Sequence, residues 1–165
     1  MGVKLSAEIQ TALSDPKTVK IVAGVDAQGG PHAAFKDSLR LRKDGNLEYD
    51  EIIESSDANK SMVASIWFDR TVAVVLLTKD HRSFLIKGKA VRAIISGQEF
   101  RERYTAVREK LGDVDLSTVW VIEPFFERED TLEKRRIEEE KAHPLLRHVD
   151  RLVQVDRLAQ QDKIS

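Results

Sequence analysis

TVAVVLLTKDHRSFLIKGKAVRAII, residues 71–95, holds two long strands joined by a polar turn. Residues 72–77 are apolar and mostly β-branched without alternation, the pattern of a strand covered on both faces. Lys79, Asp80, His81 and Arg82 make the turn. Residues 84–95 return with basic residues set among apolar ones, so part of this second strand faces water or charge. Gly88 in its middle marks a bulge or a close approach of backbone.

Upstream of this hairpin the chain reads as helix, then strands. Ser6 is placed to cap a helix whose apolar residues Ile9, Ala12 and Leu13 keep helical spacing, with Leu5 as a staple and Asp15-Pro16 as the stop. Residues 17–27 form a strand, Gln28-Gly29-Gly30-Pro31 a tight turn, and residues 31–35 a return strand. Leu39 and Leu41 alternate with Arg40 and Arg42 in a half-buried strand, Asp44-Gly45-Asn46 signals a hairpin, and residues 47–53 form the next strand. Capping residues Ser55, Ser56 and Asp57 then precede a helix over residues 59–68, whose buried face is expected to hold Met62, Val63, Ile66 and Trp67.

Downstream, Ser96-Gly97-Gln98-Glu99 has the form of a capping box, and Phe100, Tyr104, Val107 and Leu111 make the apolar stripe of a helix that Gly112 ends. Residues 116–126 are the last strand, with Pro124 at a sheet edge or a bend. From Glu127 the chain becomes almost wholly charged, and an apolar stripe resumes at Leu145, Leu146, Val149, Leu152 and Val153. The expected division is a barrel domain over residues 1–126 and a charged helical extension over residues 127–165. Leu132 and Ile137 are too few for a coiled-coil seam, so the extension is expected to dock its apolar end on the barrel or on a second subunit.

Composition narrows the function. The 165 residues are 41% hydrophobic and 33% charged with a net charge of −1, which gives no electrostatic basis for general nucleic-acid or membrane-surface binding. No cysteine is present, so disulfides and thiolate chemistry are excluded. No run approaches the ~20 apolar residues of a membrane span, and the opening residues lack a signal-peptide core; a soluble cytoplasmic protein is expected. Neither GxGxxG nor GxxxxGK occurs. About six strands in hairpins with helices inserted make a mainly β, antiparallel barrel with peripheral helices.

Four stretches carry a resemblance: VKIVAGVDAQGGPHAAF (19–35), SLRLRKDGNLEYDEII (38–53), DANKSMVASIWFDRTVAVVLL (57–77) and FLIKGKAVR (84–92). Together they resemble the FMN-binding split-barrel family, which includes pyridoxamine 5′-phosphate oxidase. The resemblance implies a six-stranded split barrel of Greek-key type and a homodimer with FMN at the subunit interface. It places Phe35, Lys36, Asp37 and Ser38 along the flavin ring and Lys60 and Ser61 at the phosphate, with Ser55 and Ser56 just upstream. Trp120 would approach the partner's flavin or else pack in the core. The implied activity is an FMN-dependent oxidoreductase with a small-molecule donor or substrate. The alternatives are a non-catalytic holder of FMN, haem or a deazaflavin, or a cofactor-free interaction module.

The residues themselves allow two readings at the phosphate. A phosphate carries close to two charges and suits cations, hydroxyls and a helix N-terminus, which residues 55–61 offer. Equally, Ser56 or Asp57 caps the helix while Lys60 points to solvent, and Glu54 and Asp57 oppose an anion. Arg40, Arg42, Lys87 and Lys89 either add charge to the site or form solvated strand faces. His32 has no nucleophile or carboxylate at diagnostic spacing, and Pro144 breaks the register of Glu139, His143 and His148, so no catalytic histidine or metal site is expected.

Overall fold

A computed structural model describes residues 2–144. The elements in order are α1 (Ala7–Ser14), β1 (Val19–Val25), β2 (Pro31–Phe35), β3 (Arg40–Leu41), β4 (Leu47–Glu51), α2 (Asp57–Trp67), β5 (Thr71–Leu77), β6 (Ser83–Ile94), α3 (Gly97–Leu111), β7 (Thr118–Glu129) and α4 (Leu132–Ala142). One antiparallel sheet runs β2-β1-β5-β6-β7-β4-β3. It has seven strands rather than six, because Arg40–Leu41 forms a short strand of its own before Arg42 N–H donates to the Asn46 carbonyl across the turn. β5, β6 and β7 are a meander and β4 lies beyond β7, the Greek-key arrangement.

The order of strands forces the sheet to curl. β2 and β3 are its opposite edges, yet five Cα steps join Phe35 to Arg40 and cover at most about 18 Å. Six spacings of a flat sheet would hold those edges about 29 Å apart. The result is a split barrel, mainly β, with the helices at its periphery.

Inward residues of the strands form one core: Val22, Leu47, Tyr49, Val72, Val74, Leu76, Phe84, Ile86, Trp120 and Ile122, joined by Leu5, Ile9, Ala12 and Leu13 around α1. A second cluster joins Val107 of α3 to Ile94, Val119 and Val121, so α3 covers the outer side of β6 and β7. β7 runs to Glu129, so charged residues 127–129 belong to the strand rather than to the extension. The described chain divides after Glu129. In the second unit α4 buries no residue and carries the pairs Arg135–Glu138 and Arg136–Glu133.

Two capping expectations change. Ser96 makes no side-chain cap bond, and the Glu99 side chain pairs with Arg42 and Arg92 instead of reaching back to the cap. At Ser6 the backbone N–H donates to Glu127 Oε2 at 2.9 Å, and the hydroxyl makes no cap bond.

α2 is turned the other way from its hydropathy. Met62 is buried, but Val63, Ile66 and Trp67 are exposed, Trp67 by 78%. The inward face is Ala58, Ser61, Met62 and Ser65. The reason is a close approach: a Cβ on Gly24 of β1 would lie 3.1 Å from Ser61 Oγ, so only small residues fit between helix and sheet. Asn59 pins this packing, since its Oδ1 accepts from Trp120 Nε1 and its Nδ2 donates to the Glu54 carbonyl, both at 2.8 Å.

Lys20 is a buried cation on β1, only 7% exposed. Its Nζ donates to the Leu13 carbonyl at the end of α1 (2.6 Å) and to the Leu39 carbonyl in the crossover (3.0 Å). Burial holds its pKa below the ordinary lysine value, partly offset by Asp37 and Asp15. Between the lowered folded pKa and 10.5 the unfolded chain binds more protons, so stability rises with pH through that window. Urea unfolding of the parent should therefore strengthen relative to Lys20→Met as pH climbs toward 10.5. A constant difference between the two would refute this assignment.

Candidate functional site

Strand alternation sends Val22, Val74 and Ile86 inward, and their neighbours to the other side. That outer side, across β2, β1, β5 and β6, is built in rows. Phe35, Ile21, Val75 and Leu85 stand opposite one another in register. The next row is Ala33, Ala23, Ala73 and Lys87. Beyond it Pro31 pairs with Val25, and Thr71 with Lys89. None of the apolar residues in these rows belongs to either core cluster, and Phe35 is 73% exposed. The alanines leave a hollow of about 360 Å³ at Ala23, Ala33 and Ala73, whose lining also includes His32 and, at its end, Pro31 and Thr71.

The crossover residues edge this face. Phe35 ends its first row. Lys36 Nζ bonds Glu51 Oε2 at 2.6 Å and lies 5.1 Å from the centre of the Tyr49 ring. Ser38 Oγ accepts from Asp50 N–H at 3.0 Å, and Asp37 is exposed. Lys36 and Ser38 thus hold the crossover to β4, which leaves the outward face of Phe35 and the free edge of β2 as surfaces a ligand could meet.

Of the residues expected at the phosphate, Lys60 and Ser55 are exposed, whereas Ser56 and Ser61 are engaged within α2. Ser56 Oγ caps α2 by accepting from Asn59 N–H at 3.0 Å. Ser61 is 3% exposed and donates its hydroxyl back to the Ala58 carbonyl, because its side chain faces β1. Lys60 is exposed and lies 3.3 Å from Asp57, and Ser55 is exposed. Trp120 is 3% exposed with its indole N–H held by Asn59, which places it in the core rather than on a flavin.

Arg40 and Arg42 are also committed. Arg40 pairs with Glu48 (2.6 Å) and Asp50 (3.1 Å), Arg42 with Glu48 and Glu99, and Arg103 of α3 joins at Asp50. Glu48 and Asp50 were not singled out from sequence, although their alternation with Leu47 and Tyr49 matches that of the arginines across the hairpin. Among the described residues no group of three or more His, Cys, Asp or Glu could hold a metal ion. No described helix is long and apolar enough to cross a membrane.

No family model and no curated protein matches the sequence. Solved structures do match by fold. HupZ from Group A Streptococcus overlaps with a TM-score of 0.64 at 16% identity, over 78% of this chain and 95% of that one. An FMN-binding protein from Syntrophomonas wolfei gives 0.58 at 13%, over 76% and 86%. HutZ, the haem storage protein of Vibrio cholerae, gives 0.55 at 13%, over 77% and 95%. The protein therefore has the fold of the FMN-binding split barrels.

Proposed function

We propose that the protein is a cytoplasmic, homodimeric FMN-binding flavoprotein that acts as an oxidoreductase on a small molecule. The observation that carries this is the uncovered apolar face of β2, β1, β5 and β6. The unalternated run of β5 calls for cover on both sides. The described chain supplies it on one side only, where Val72, Val74 and Leu76 are buried. A second copy meeting this face about a two-fold axis would supply the other.

Size and chemistry support that occupant. At strand spacings the face measures about 23 by 19 Å, more than half of the roughly 800 Å² per partner in a standard interface. Its alanine row allows close approach, and its hollow suits a flat aromatic ring. The free edge of β2 would present backbone groups to the ring's polar rim, while the sheet excludes water from one side of it. Bound FMN would supply the electron chemistry, and the protein its orientation and surroundings.

The test is an absorption spectrum of purified protein after addition of FMN and desalting. Retained flavin bands near one per subunit are expected. Loss of all flavin would overturn the proposal. A second reading, haem on the same face, is favoured by the likeness to HutZ and by the engagement of Ser56 and Ser61 within α2. A Soret band retained after addition of haemin, with no retained flavin, would select it.

A further inference from the structure

Lys87 ends the alanine row and stands on the same face as the hollow. Its ammonium lies 5.3 Å from the centre of the Phe126 ring. Its cross-strand neighbours, Ala73 and Phe126, carry no charge, and it forms no ion pair among the described residues. Arg128 lies over the same ring, 5.9 Å from its centre, and adds positive charge beside Lys87. The other cations weighed for the site are held by carboxylates. Lys89 is bound by Asp69 at 2.9 Å and faces Glu123 across the β6–β7 register. Lys60 has Asp57, and Arg40 and Arg42 are held by Glu48, Asp50 and Glu99.

An exposed lysine without a partner is ordinary while it remains in water. On a face that becomes covered it is not, because an ammonium removed from water without a counter-charge is strongly destabilising. A two-fold axis would bring two such lysines into one interface. The rows opposite Lys87 offer alanine and aromatic carbon and no carboxylate. A ligand that brings its own negative charge would supply the missing partner.

Resting on the flavin reading above, we infer that Lys87 receives the phosphate of bound FMN, at the β6 end of the alanine row, in place of the α2 N-terminus. The Phe126 ring positions the ammonium from one side and leaves its N–H groups free to donate to phosphate oxygens.

FMN and riboflavin share a ring and differ in the phosphate, so their affinity ratio reads this contact directly. Flavin fluorescence titrations on the parent, Lys87→Gln and Lys60→Gln test it. The parent should bind FMN at least about tenfold tighter than riboflavin, the scale of a charge-assisted bond. Lys87→Gln should bring the two within about twofold by losing FMN affinity alone, with riboflavin affinity kept at the parental value. Lys60→Gln should keep the parental ratio. Retention of the preference in Lys87→Gln, or its loss in Lys60→Gln, would overturn the inference. Equal binding of both flavins by the parent would overturn it while leaving the flavin reading intact. A parent that binds neither overturns the flavin reading itself.

Discussion

If the protein is the FMN-binding dimer proposed above, Ala23→Glu should convert it to a monomer that loses its flavin on desalting. Ala23 is the centre of the outer face, between Ala33 and Ala73 in register. Its side chain contributes to neither core cluster, so the substitution leaves the single-chain fold with little to lose. In the proposed dimer, the same carboxylate would be buried without a partner, and a two-fold axis would bury it twice. One such unpaired charge costs about 3–5 kcal/mol, so dimerisation should weaken by at least about 10²-fold. Light scattering across a dilution series, with the flavin spectrum of the same samples, measures both. Ala23→Ser is the control and should remain dimeric. If Ala23→Glu stays dimeric and flavin-bound, the interface lies elsewhere.

This face was visible in the sequence only by implication. Residues 72–77 read as a strand covered twice, and hydropathy could not tell whether the second cover came from this chain or another. The same ambiguity governs α2. Val63, Ile66 and Trp67 have the periodicity of a core stripe, but the sheet approaches the helix through Gly24, and that closeness admits only the small face of Ala58, Ser61 and Ser65. A serine at that contact reads as polar and is buried for its size.

Local signals transferred well. The Lys79–Arg82 turn, the Gly45 turn and the Gly112 helix stop lie where expected, with φ of +89° and +82° at the two glycines. What sequence order could not show were partners brought together by the fold. Arg40 and Arg42 meet Glu48 and Asp50 across a hairpin, but Arg103 and Glu99 arrive from α3, more than fifty residues away. Ser61 and Lys60 are adjacent in sequence, yet Ser61 is buried and Lys60 exposed, because helical geometry turns neighbours about 100° apart. The likeness at the phosphate was thus carried by residue types whose orientation the likeness did not contain.

Gly88→Ala should be the most destabilising single methyl addition in the barrel. Gly88 sits where the β6–β7 register shifts, opposite Pro124, with Phe125 unpaired in the bulge. A Cβ there would lie 2.6 Å from Ile122 Cγ2 and 2.7 Å from the Glu123 carbonyl oxygen. Ile122 is fully buried and the carbonyl is backbone, so neither can swing aside as a long side chain could. β6 and β7 must separate, at the strand pair that ties the β5–β6 hairpin to the α3-covered side of the sheet. A loss of about 3 kcal/mol is expected, or roughly 10 °C in Tm for a unit of this size. By contrast, Gly29→Ala meets nothing within 4 Å and carries only the strain of its positive φ, so it should cost less. Urea unfolding of the two variants orders them. Should Gly88→Ala prove the milder, the bulge is plastic, and the placement of Lys87 beside it cannot be as firm as the row geometry requires.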